Sequence, residues 1–208
     1  MEITPLKSNL SPSFPLPIYQ SIKIGEAINE EGGRFFIVAG LGKEKAKELK
    51  TLSSDILDIE LQNFTSDRER FVQGSYETWY AKDRTPFALI DTKNNALAAI
   101  VWFGPKPLGE KSENPSEEDA HQNYTLDKKE KWHTISYRCY PLYRGKHLMK
   151  DFAKFVMTIY LNSRGGIKLW AAIKTDNVKS GGLASSLGFK IHEKLTDLKN
   201  HRLVMIRE

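Results

Sequence analysis

The chain has 208 residues, of which 40% are hydrophobic, so it can bury the core of one ordinary domain or two small ones. Its formal net charge of +5 is too small to indicate a nucleic-acid-binding protein by itself. The single cysteine excludes an intramolecular disulfide framework, and the five histidines lack metal-ligand spacing, so we predict no metal site.

The charges are unevenly distributed along the chain. Residues 1–140 hold 18 basic and 21 acidic side chains, whereas residues 141–208 hold 13 basic and 5 acidic ones. The last third is therefore strongly cationic. The longest apolar run, residues 96–103, is far shorter than the roughly 20 residues of a membrane span, and the start has no apolar signal core. We therefore expect a cytoplasmic protein with no membrane partner.

Residues 1–33 are predicted to be an N-terminal arm. Four of the nine prolines lie within residues 5–17 and favour extended chain over a helix or a central strand. A buried strand follows at residues 35–39, where an apolar run is flanked by glycines. One amphipathic helix is then predicted from apolar residues that recur every three or four positions, namely Ala46, Leu49, Leu52, Ile56 and Ile59.

The middle of the chain predicts a short helix and a hairpin. Residues 64–82 favour a second short helix, whose aromatic side chains Tyr76, Trp79 and Tyr80 form either core or the wall of a substrate site. Apolar runs at residues 87–90 and 96–103 flank a turn-forming cluster, which predicts two antiparallel strands. Residues 104–131 lose this pattern and predict a polar insertion.

Regular elements return after the insertion. Alternation at residues 132–140 predicts a strand, and helical spacing from Leu148 to Tyr160 predicts a helix closed by two glycines. Residues 167–173 predict another strand, and residues 177–187 predict a short helix. Two last strands are predicted, one beginning at residue 189 and one at residues 202–206. This order predicts an α/β fold with a mixed sheet covered by helices.

The junction between the strand at 132–140 and the following helix has the chemistry of a phosphate site. Residues 141–149 read Pro-Leu-Tyr-Arg-Gly-Lys-His-Leu-Met. The first turn of a helix leaves backbone N–H groups unpaired at the positive end of the helix dipole, so these groups can bind a pyrophosphate. Arg144 and Lys146 add positive charge beside them.

This junction resembles the acetyl-coenzyme A loop of the GNAT superfamily of N-acetyltransferases, which reads Q/R-x-x-G-x-G/A and is often written PxYRGKGxG. The chain matches it at Pro141, Tyr143, Arg144, Gly145 and Lys146. A second match follows at the superfamily's spacing, because Asn177, Leu183 and the Leu-Gly-Phe-Lys of residues 187–190 resemble its N…LY…LGFK signature. The resemblance covers residues 34–208.

The resemblance implies one acetyltransferase domain over residues 34–208, with a mixed, mostly antiparallel central sheet flanked by helices. It implies that acetyl-coenzyme A (acetyl-CoA) is the co-substrate and that an amine of a small molecule or a protein accepts the acetyl group by direct transfer. It further implies that acetyl-CoA is bound by the strand end, the loop and the second motif, at Cys139, Tyr140, Arg144, Gly145, Lys146, His147, Leu148, Met149 and Asn177.

Three positions depart from the superfamily pattern. His147 stands where the loop has its first motif glycine, and Met149 stands where it has glycine or alanine. Other residues fit there if the backbone is right-handed, whereas a left-handed backbone favours glycine. Ala184 stands where the superfamily commonly has the tyrosine that protonates the leaving thiolate. A thiol of pKa about 8.5 can leave without a protein acid.

The residues that would take the proton from the amine are not identified by the sequence. Tyr140, His133 and Glu77 are candidates by position only, and each is more typical of a structural residue, namely a packed ring, a strand surface residue and a surface acid. Tyr76, Trp79 and Tyr80 are candidates for the acceptor site, and Cys139 is more typical of a small core residue than of a nucleophile.

Two other functions remain open from the sequence. A catalytically inactive GNAT-like protein that binds coenzyme A is consistent with the altered glycines and the missing acid. A basic nucleic-acid-binding protein is consistent with the charge of residues 141–208, although the chain lacks an RNA-binding signature or a zinc framework.

Overall fold

The computed structural model describes residues 1–6, 13–110 and 131–208. Most of the predicted insertion at 104–131 lies outside these residues. Within the described part, no helix is long and apolar enough to cross a membrane. The same part contains no group of three or more His, Cys, Asp or Glu side chains that could hold a metal ion.

A nine-stranded sheet organises the chain, in the spatial order β1-β2-β3-β4-β5-β6-β7-β9-β8. All neighbouring pairs are antiparallel except β6 and β7, which are parallel. The predicted mixed, mostly antiparallel sheet is thereby confirmed. The strands are β1 (Glu2–Pro5), β2 (Ile22–Ile28), β3 (Arg34–Ala39), β4 (Thr85–Asp91), β5 (Leu97–Pro105), β6 (Lys131–Cys139), β7 (Ile167–Lys174), β8 (Lys190–Ile191) and β9 (Arg202–Arg207).

Helices cover both faces of this sheet. One face, here called the α4 face, packs against α4 (Met149–Arg164) and α5 (Val178–Ser186) in a core that includes Phe152, Val156 and Ala184. The opposite α1 face packs against α1 (Lys43–Ser54) and α3 (Tyr76–Tyr80) in a second, aromatic-rich core. The segment between α1 and α3 contains α2 (Ile59–Phe64) and a π-helical turn (Glu69–Gln73).

Part of the N-terminal segment that was predicted to be an arm belongs to the sheet. β1 pairs with β2, and β2 pairs with β3. The alternation of β2 is hard to recognise because its register against β3 shifts between Lys23 and Gly25, which is the signature of a β-bulge. The boundary predicted at residue 34 therefore does not coincide with the edge of the sheet.

The single amphipathic helix predicted through Ile59 is instead two helices. α1 ends at Ser54, and Asp58 caps α2 by accepting a hydrogen bond from the N–H of Leu61 at 3.0 Å. Ile56 and Ile59, which the prediction placed on the buried face, are 67% and 66% exposed. The aspartate cap interrupts a pattern that hydrophobic spacing alone would continue.

Candidate active site

β6 and β7 lie side by side only over their first halves. Their register runs from Lys131 opposite Ile167 to Thr134 opposite Trp170, whereas β6 continues to Cys139 and β7 to Lys174. The two strands therefore diverge beyond Thr134. The sheet opens there into a gap between residues 135–139 of β6 and residues 171–174 of β7.

β6 directs peptide groups into this gap. The N–H of Tyr140 donates to the carbonyl of Ala98 on the β5 side at 3.1 Å, and the β5–β6 register is uninterrupted from Cys139 to His133. Successive residues of a strand turn their peptide groups to opposite sides, so those of Cys139 and Tyr137 face away from β5. Their N–H groups point into the gap and can donate to a carbonyl oxygen or an oxyanion there.

A cleft of about 1130 Å³ passes through the gap and is lined from both faces of the sheet. On the α4 face its walls include the loop before α4 and the start of α5, with Tyr143, His147, Leu148 and Ser180. On the α1 face its walls include Trp79, Trp102 and Trp170. A ligand can therefore reach the same point of β6 from either side of the sheet.

The loop predicted to bind pyrophosphate joins the end of β6 to the start of α4. A 3₁₀ turn (Pro141–Tyr143) leads into Gly145, whose φ is +78°. The N-cap of α4 is Leu148, whose side chain forms no capping hydrogen bond. The first N–H groups of α4 therefore keep the capacity to bind an anion beside the cleft.

His147 has a left-handed backbone, with φ of +54°. The sequence left open whether residue 147 adopts the right-handed conformation that accepts any residue. The structure gives the conformation that favours glycine, so the histidine stores backbone strain in the loop. Histidine is among the residue types that tolerate this region better than most.

The guanidinium of Arg144 is held by an aspartate of α2. Its Nη1 and Nη2 donate hydrogen bonds to the two carboxylate oxygens of Asp58, at 2.8 Å and 2.7 Å. Its Nε donates to the carbonyl of Cys139 at 2.9 Å. Asp58 is also the cap of α2 and is 5% exposed. Arg144 was expected to supply charge to a phosphate, but its guanidinium joins the loop, the end of β6 and α2.

The second motif begins at the helix that borders the cleft. Asn177 is the N-cap of α5 and accepts a hydrogen bond from the N–H of Ser180 at 3.1 Å, and it lines the cleft. Ala184, the position of the common tyrosine acid, is 1% exposed and belongs to the core of the α4 face. A hydroxyl from β6 contacts this helix instead, because Tyr137 donates to the carbonyl of Ser180 at 2.7 Å.

The three candidates for the proton-accepting residue lie away from the cleft. Tyr140 is buried in the core of the α1 face, and burial raises the pKa of its hydroxyl well above the usual value. The ring of His133 lies under α4, 2.6 Å from the hydroxyl of Tyr160. Glu77 is exposed and accepts a hydrogen bond from Tyr19, which lowers the pKa of its carboxyl.

The remaining predicted binding residues are divided between the cleft and other parts of the molecule. Cys139, Gly145, His147, Leu148 and Met149 line the cleft together with Trp79. By contrast, the amine of Lys146 lies 4.0 Å from the carboxylate of Glu31, Tyr76 stacks on Tyr19, and the hydroxyl of Tyr80 donates to the carbonyl of Leu16.

Several side chains that line the cleft on the α1 face were not among the predicted site residues. Thr134, Ser136 and Arg138 of β6 lie there, together with Trp102 of the neighbouring strand β5. The alternation of residues 132–140 already indicates that these side chains lie together, because the even-numbered residues of the strand share one face and Ile135 and Cys139 lie on the other. What the sequence did not show is that this face borders an open cleft rather than a packed helix.

Cys139 lines the cleft as a protonated thiol. Burial raises the pKa of its thiol to about 11. At neutral pH a thiol with this pKa is almost entirely uncharged, and the thiolate is the nucleophilic form. Cys139 is therefore poorly suited to accept an acyl group.

The sequence matches no family model and no curated protein. The structure is similar to the GNAT domain of S. lividans PAT, with a TM-score of 0.56 and 12% identity over 88% of this chain and 94% of that chain. It is similar to RimL, a ribosomal alpha-N-protein acetyltransferase, with a TM-score of 0.53 and 16% identity over 83% of this chain and 89% of that chain.

A third similar structure is the microcin C7 self-immunity acetyltransferase MccE in complex with acetyl-CoA and AMP. The TM-score is 0.52 at 15% identity, over 82% of this chain and 91% of that chain. Identities this low relate folds and leave the activity to be argued from the site. The sheet order, the parallel β6–β7 pair and these neighbours show that the chain has the fold of the GNAT N-acetyltransferases.

Proposed function

We propose that the protein is an N-acetyltransferase that uses acetyl-CoA and transfers its acetyl group directly to an amine. The observation that carries this proposal is the gap between β6 and β7, which leads straight into the loop and the uncapped N-terminus of α4. An extended ligand with a polyanionic end fits a strand edge that continues into a helix N-terminus.

The chain offers donors for the pyrophosphate, the pantetheine arm and the thioester of acetyl-CoA. The N–H groups at the start of α4 and in the loop after Gly145 would bind the pyrophosphate, and Lys150 and Lys179 lie on the two helices that border this end. The N–H groups of Tyr137 and Cys139 would donate to the pantetheine arm and to the thioester carbonyl, while their own carbonyls accept from Arg138 and Arg144. The thioester would then lie in the middle of the sheet.

Direct transfer forms one bond and breaks one bond. The lone pair of the amine attacks the thioester carbon, negative charge develops on the carbonyl oxygen, and the C–S bond then breaks to release the thiolate. A peptide N–H aimed at that oxygen stabilises the developing charge, which is commonly the largest contribution to acyl transfer. A lysine-like amine has a pKa of about 10.4, so it must first lose a proton to solvent. The nitrogen loses a second proton as the amide forms, and the departing thiolate can take that proton to become the thiol.

Kinetics of a loop variant and a matched control test this proposal. Gly145 and Gly166 both have positive φ, +78° and +65°, and a Cβ at either would meet no atom within 4 Å. Gly145 lies in the loop before α4, whereas Gly166 follows the other end of the helix. Valine at either position strains the backbone to a similar extent.

We expect Gly145→Val to raise the KM for acetyl-CoA by about tenfold and Gly166→Val to leave it within about twofold, as a loss of about 1.4 kcal/mol of binding would give. Thiol release on adding an amine panel would measure turnover, and calorimetry would measure cofactor affinity. Equal effects of the two variants would contradict the site. Tight binding of acetyl-CoA without turnover on any amine would instead support an inactive coenzyme A-binding protein.

A further inference from the structure

The half of the cleft on the α1 face carries more positive than negative charge. Its lining includes the carboxylates Glu69 and Glu110 and the cations Arg70, Lys82, Arg84, Lys106 and Arg138. One more acid lies behind this wall, because the buried carboxylate of Asp67 bonds to both Arg138 and Arg70. Arg84 and Lys106 line the same half of the cleft, beside Pro105.

The side chain of Arg84 occupies the space that a side chain at Gly104 would fill. Its side chain crosses β5 at Gly104, where a Cβ would lie 2.6 Å from both Cδ and Nη1 of Arg84. The guanidinium also donates to the carbonyl of Pro105 at 3.2 Å. A side chain at residue 104 would therefore displace the arginine from this place on the wall.

Lys106 is positioned on the same side by Trp170. The indole N–H of Trp170 donates to the carbonyl of Lys106 at 3.0 Å, and the lysine amine lies 5.9 Å from the ring centroid. Because Pro105, which accepts from Arg84, directly precedes Lys106, the two cations flank one end of the cleft. Thr134 lies opposite Gly104 in the register of β5 and β6, and it lines the cleft between Arg84 and Lys106.

The electrostatics of the two side chains agree with an excess of positive charge. The pKa of Arg84 is lowered by burial and then by the charge of Arg70. The pKa of Lys106 is lowered by burial, and the charge of Glu110 opposes that change while Arg84 adds to it. The charges of two carboxylates, Glu110 and Asp83, oppose the lowering of the Arg84 pKa. An anion bound between Arg84 and Lys106 would relieve the remaining repulsion among the cations.

We propose that the acceptor is an amine that carries an oxyanion group, a carboxylate or a phosphate, and that Arg84 and Lys106 bind this group. This proposal rests on the proposed acetyl transfer and specifies its acceptor. Thr134 and Tyr137 are three residues apart on β6, which is about 10 Å along a strand. The amine would lie near Tyr137 and the oxyanion near Thr134, joined by a short spacer between the rings of Trp102 and Trp170.

Matched pairs of amines test this assignment. We would compare 4-(aminomethyl)benzoate with 4-(aminomethyl)benzamide, and 4-(aminomethyl)phenyl phosphate with 4-(aminomethyl)phenol. Each pair keeps the ring and the amine and changes the charge, and the two pairs distinguish a carboxylate from a phosphate. Binding is measured by calorimetry with coenzyme A present, so the result does not require turnover and is independent of whether acetyl transfer occurs.

We expect the charged member of at least one pair to bind about tenfold more tightly than its neutral partner, as a hydrogen-bonded ion pair provides. Arg84→Met and Lys106→Met should each reduce this preference, and the double variant should bring it within about twofold. Lys47→Met, on the exposed side of α1, is the matched control and should retain the full preference. Thermal unfolding shows whether each variant is folded, and Lys106→Met provides the test if Arg84→Met is not.

Two results would overturn the proposal. The first is equal binding of charged and neutral partners by the wild-type protein. The second is a loss of coenzyme A affinity in Arg84→Met or Lys106→Met as large as the loss of amine affinity, because the cations would then serve the phosphates of the cofactor. Absence of turnover with the preference intact would contradict the transferase proposal and leave the charge preference of the cleft established.

Discussion

A histidine occupies the glycine position of the loop at residue 147, with φ of +54°. The left-handed region costs an L-residue about 1–2 kcal/mol, and β-branched residues fit it worst. We therefore expect His147→Gly to keep or raise the free energy of unfolding by up to about 1 kcal/mol, and His147→Val to lower it by about 1 kcal/mol. Urea denaturation measures both, and equal destabilisation by the two variants would refute a strained histidine.

Cys139 provides a second test at the scale of one residue. Its thiol lines the cleft, and burial raises the pKa of that thiol to about 11. Direct transfer does not use this sulfur, so Cys139→Ala should retain kcat within about threefold, whereas loss of a covalent nucleophile commonly removes several orders of magnitude. Steady-state kinetics decide this, and a loss of a thousandfold would establish a covalent route instead of direct transfer.

The sequence predicts the loop well and its details poorly. The positions of Arg144, Gly145 and Asn177 follow from local spacing, and all three line the cleft. The partner of Arg144 could not be predicted, because Asp58 is 86 residues away in the sequence and its local pattern indicates nothing more than a helix cap. The backbone conformation of His147 depends on how the 3₁₀ turn meets α4, which the residue type does not specify.

At the scale of elements, Asp58 connects α2 to the loop. Its carboxylate caps α2 and forms two bonds to Arg144. Asparagine can still cap the helix and accept one hydrogen bond from the guanidinium, but it lacks the charge for an ion pair, whereas alanine can do none of these. Breaking a fully buried ion pair from one side costs about 3–5 kcal/mol, and this pair costs less because Arg144 is 26% exposed. Loss of the cap adds about 1 kcal/mol.

We therefore expect Asp58→Asn to lower the free energy of unfolding by a few kcal/mol and Asp58→Ala to lower it by about 1 kcal/mol more. Because Arg144 also holds the end of β6, both variants should weaken acetyl-CoA binding. Chemical denaturation and calorimetry provide the two readouts. An Asp58→Asn protein as stable as the wild-type protein would show that this ion pair does not hold the loop.

Elements with an unbroken pattern are predictable, and interrupted ones are not. The hairpin β4–β5 follows from two continuous apolar runs around a turn-forming cluster, and the helix α4 follows from continuous helical spacing. β2 is hidden by a bulge, and the break between α1 and α2 is set by the cap at Asp58. The divergence of β6 and β7 has no signal in either strand, because it is a property of how the pair is placed in the sheet.

At the scale of the whole molecule, long-range ion pairs offset part of the uneven charge of the chain. Cations from the basic C-terminal third pair with acids that precede Pro141, as in Arg144 with Asp58, Arg164 with Asp83, and Lys179 with Glu60. The cations on the α1 face of the cleft come from the segment before Pro141, whose formal charge is negative. The loop motif lies in the basic segment, but the segment charges do not indicate the cationic half of the cleft.

A buried histidine makes the stability of the whole molecule depend on pH. Burial, and then the charge of Arg164, lowers the pKa of His133 to about 4, against about 6.5 in the unfolded chain. Between pH 4 and 6.5 the unfolded chain binds a proton at His133 and the folded chain does not. The stability that this neutral histidine contributes is therefore fully present above pH 6.5 and is lost as the pH falls towards 4. This residue can contribute a slope of up to about 1.4 kcal/mol per pH unit.

We expect His133→Gln to flatten the decrease in unfolding free energy between pH 6.5 and 4.5. The matched control is His201→Asn, because His201 is exposed and asparagine tolerates its positive φ of 51°. Urea denaturation at several pH values measures the slopes. Identical slopes for His133→Gln and the wild-type protein would contradict the assignment.

The central proposal is that acetyl-CoA lies between β6 and β7 and pairs with Tyr137 and Cys139. Residue-resolved amide hydrogen exchange with and without acetyl-CoA tests it most directly. We predict that saturating acetyl-CoA slows exchange of the Tyr137 and Cys139 amides by at least about tenfold. The amide of Arg138, which faces β5, is the internal control and should change little. Unchanged exchange at Tyr137 and Cys139 with acetyl-CoA bound would contradict the proposal.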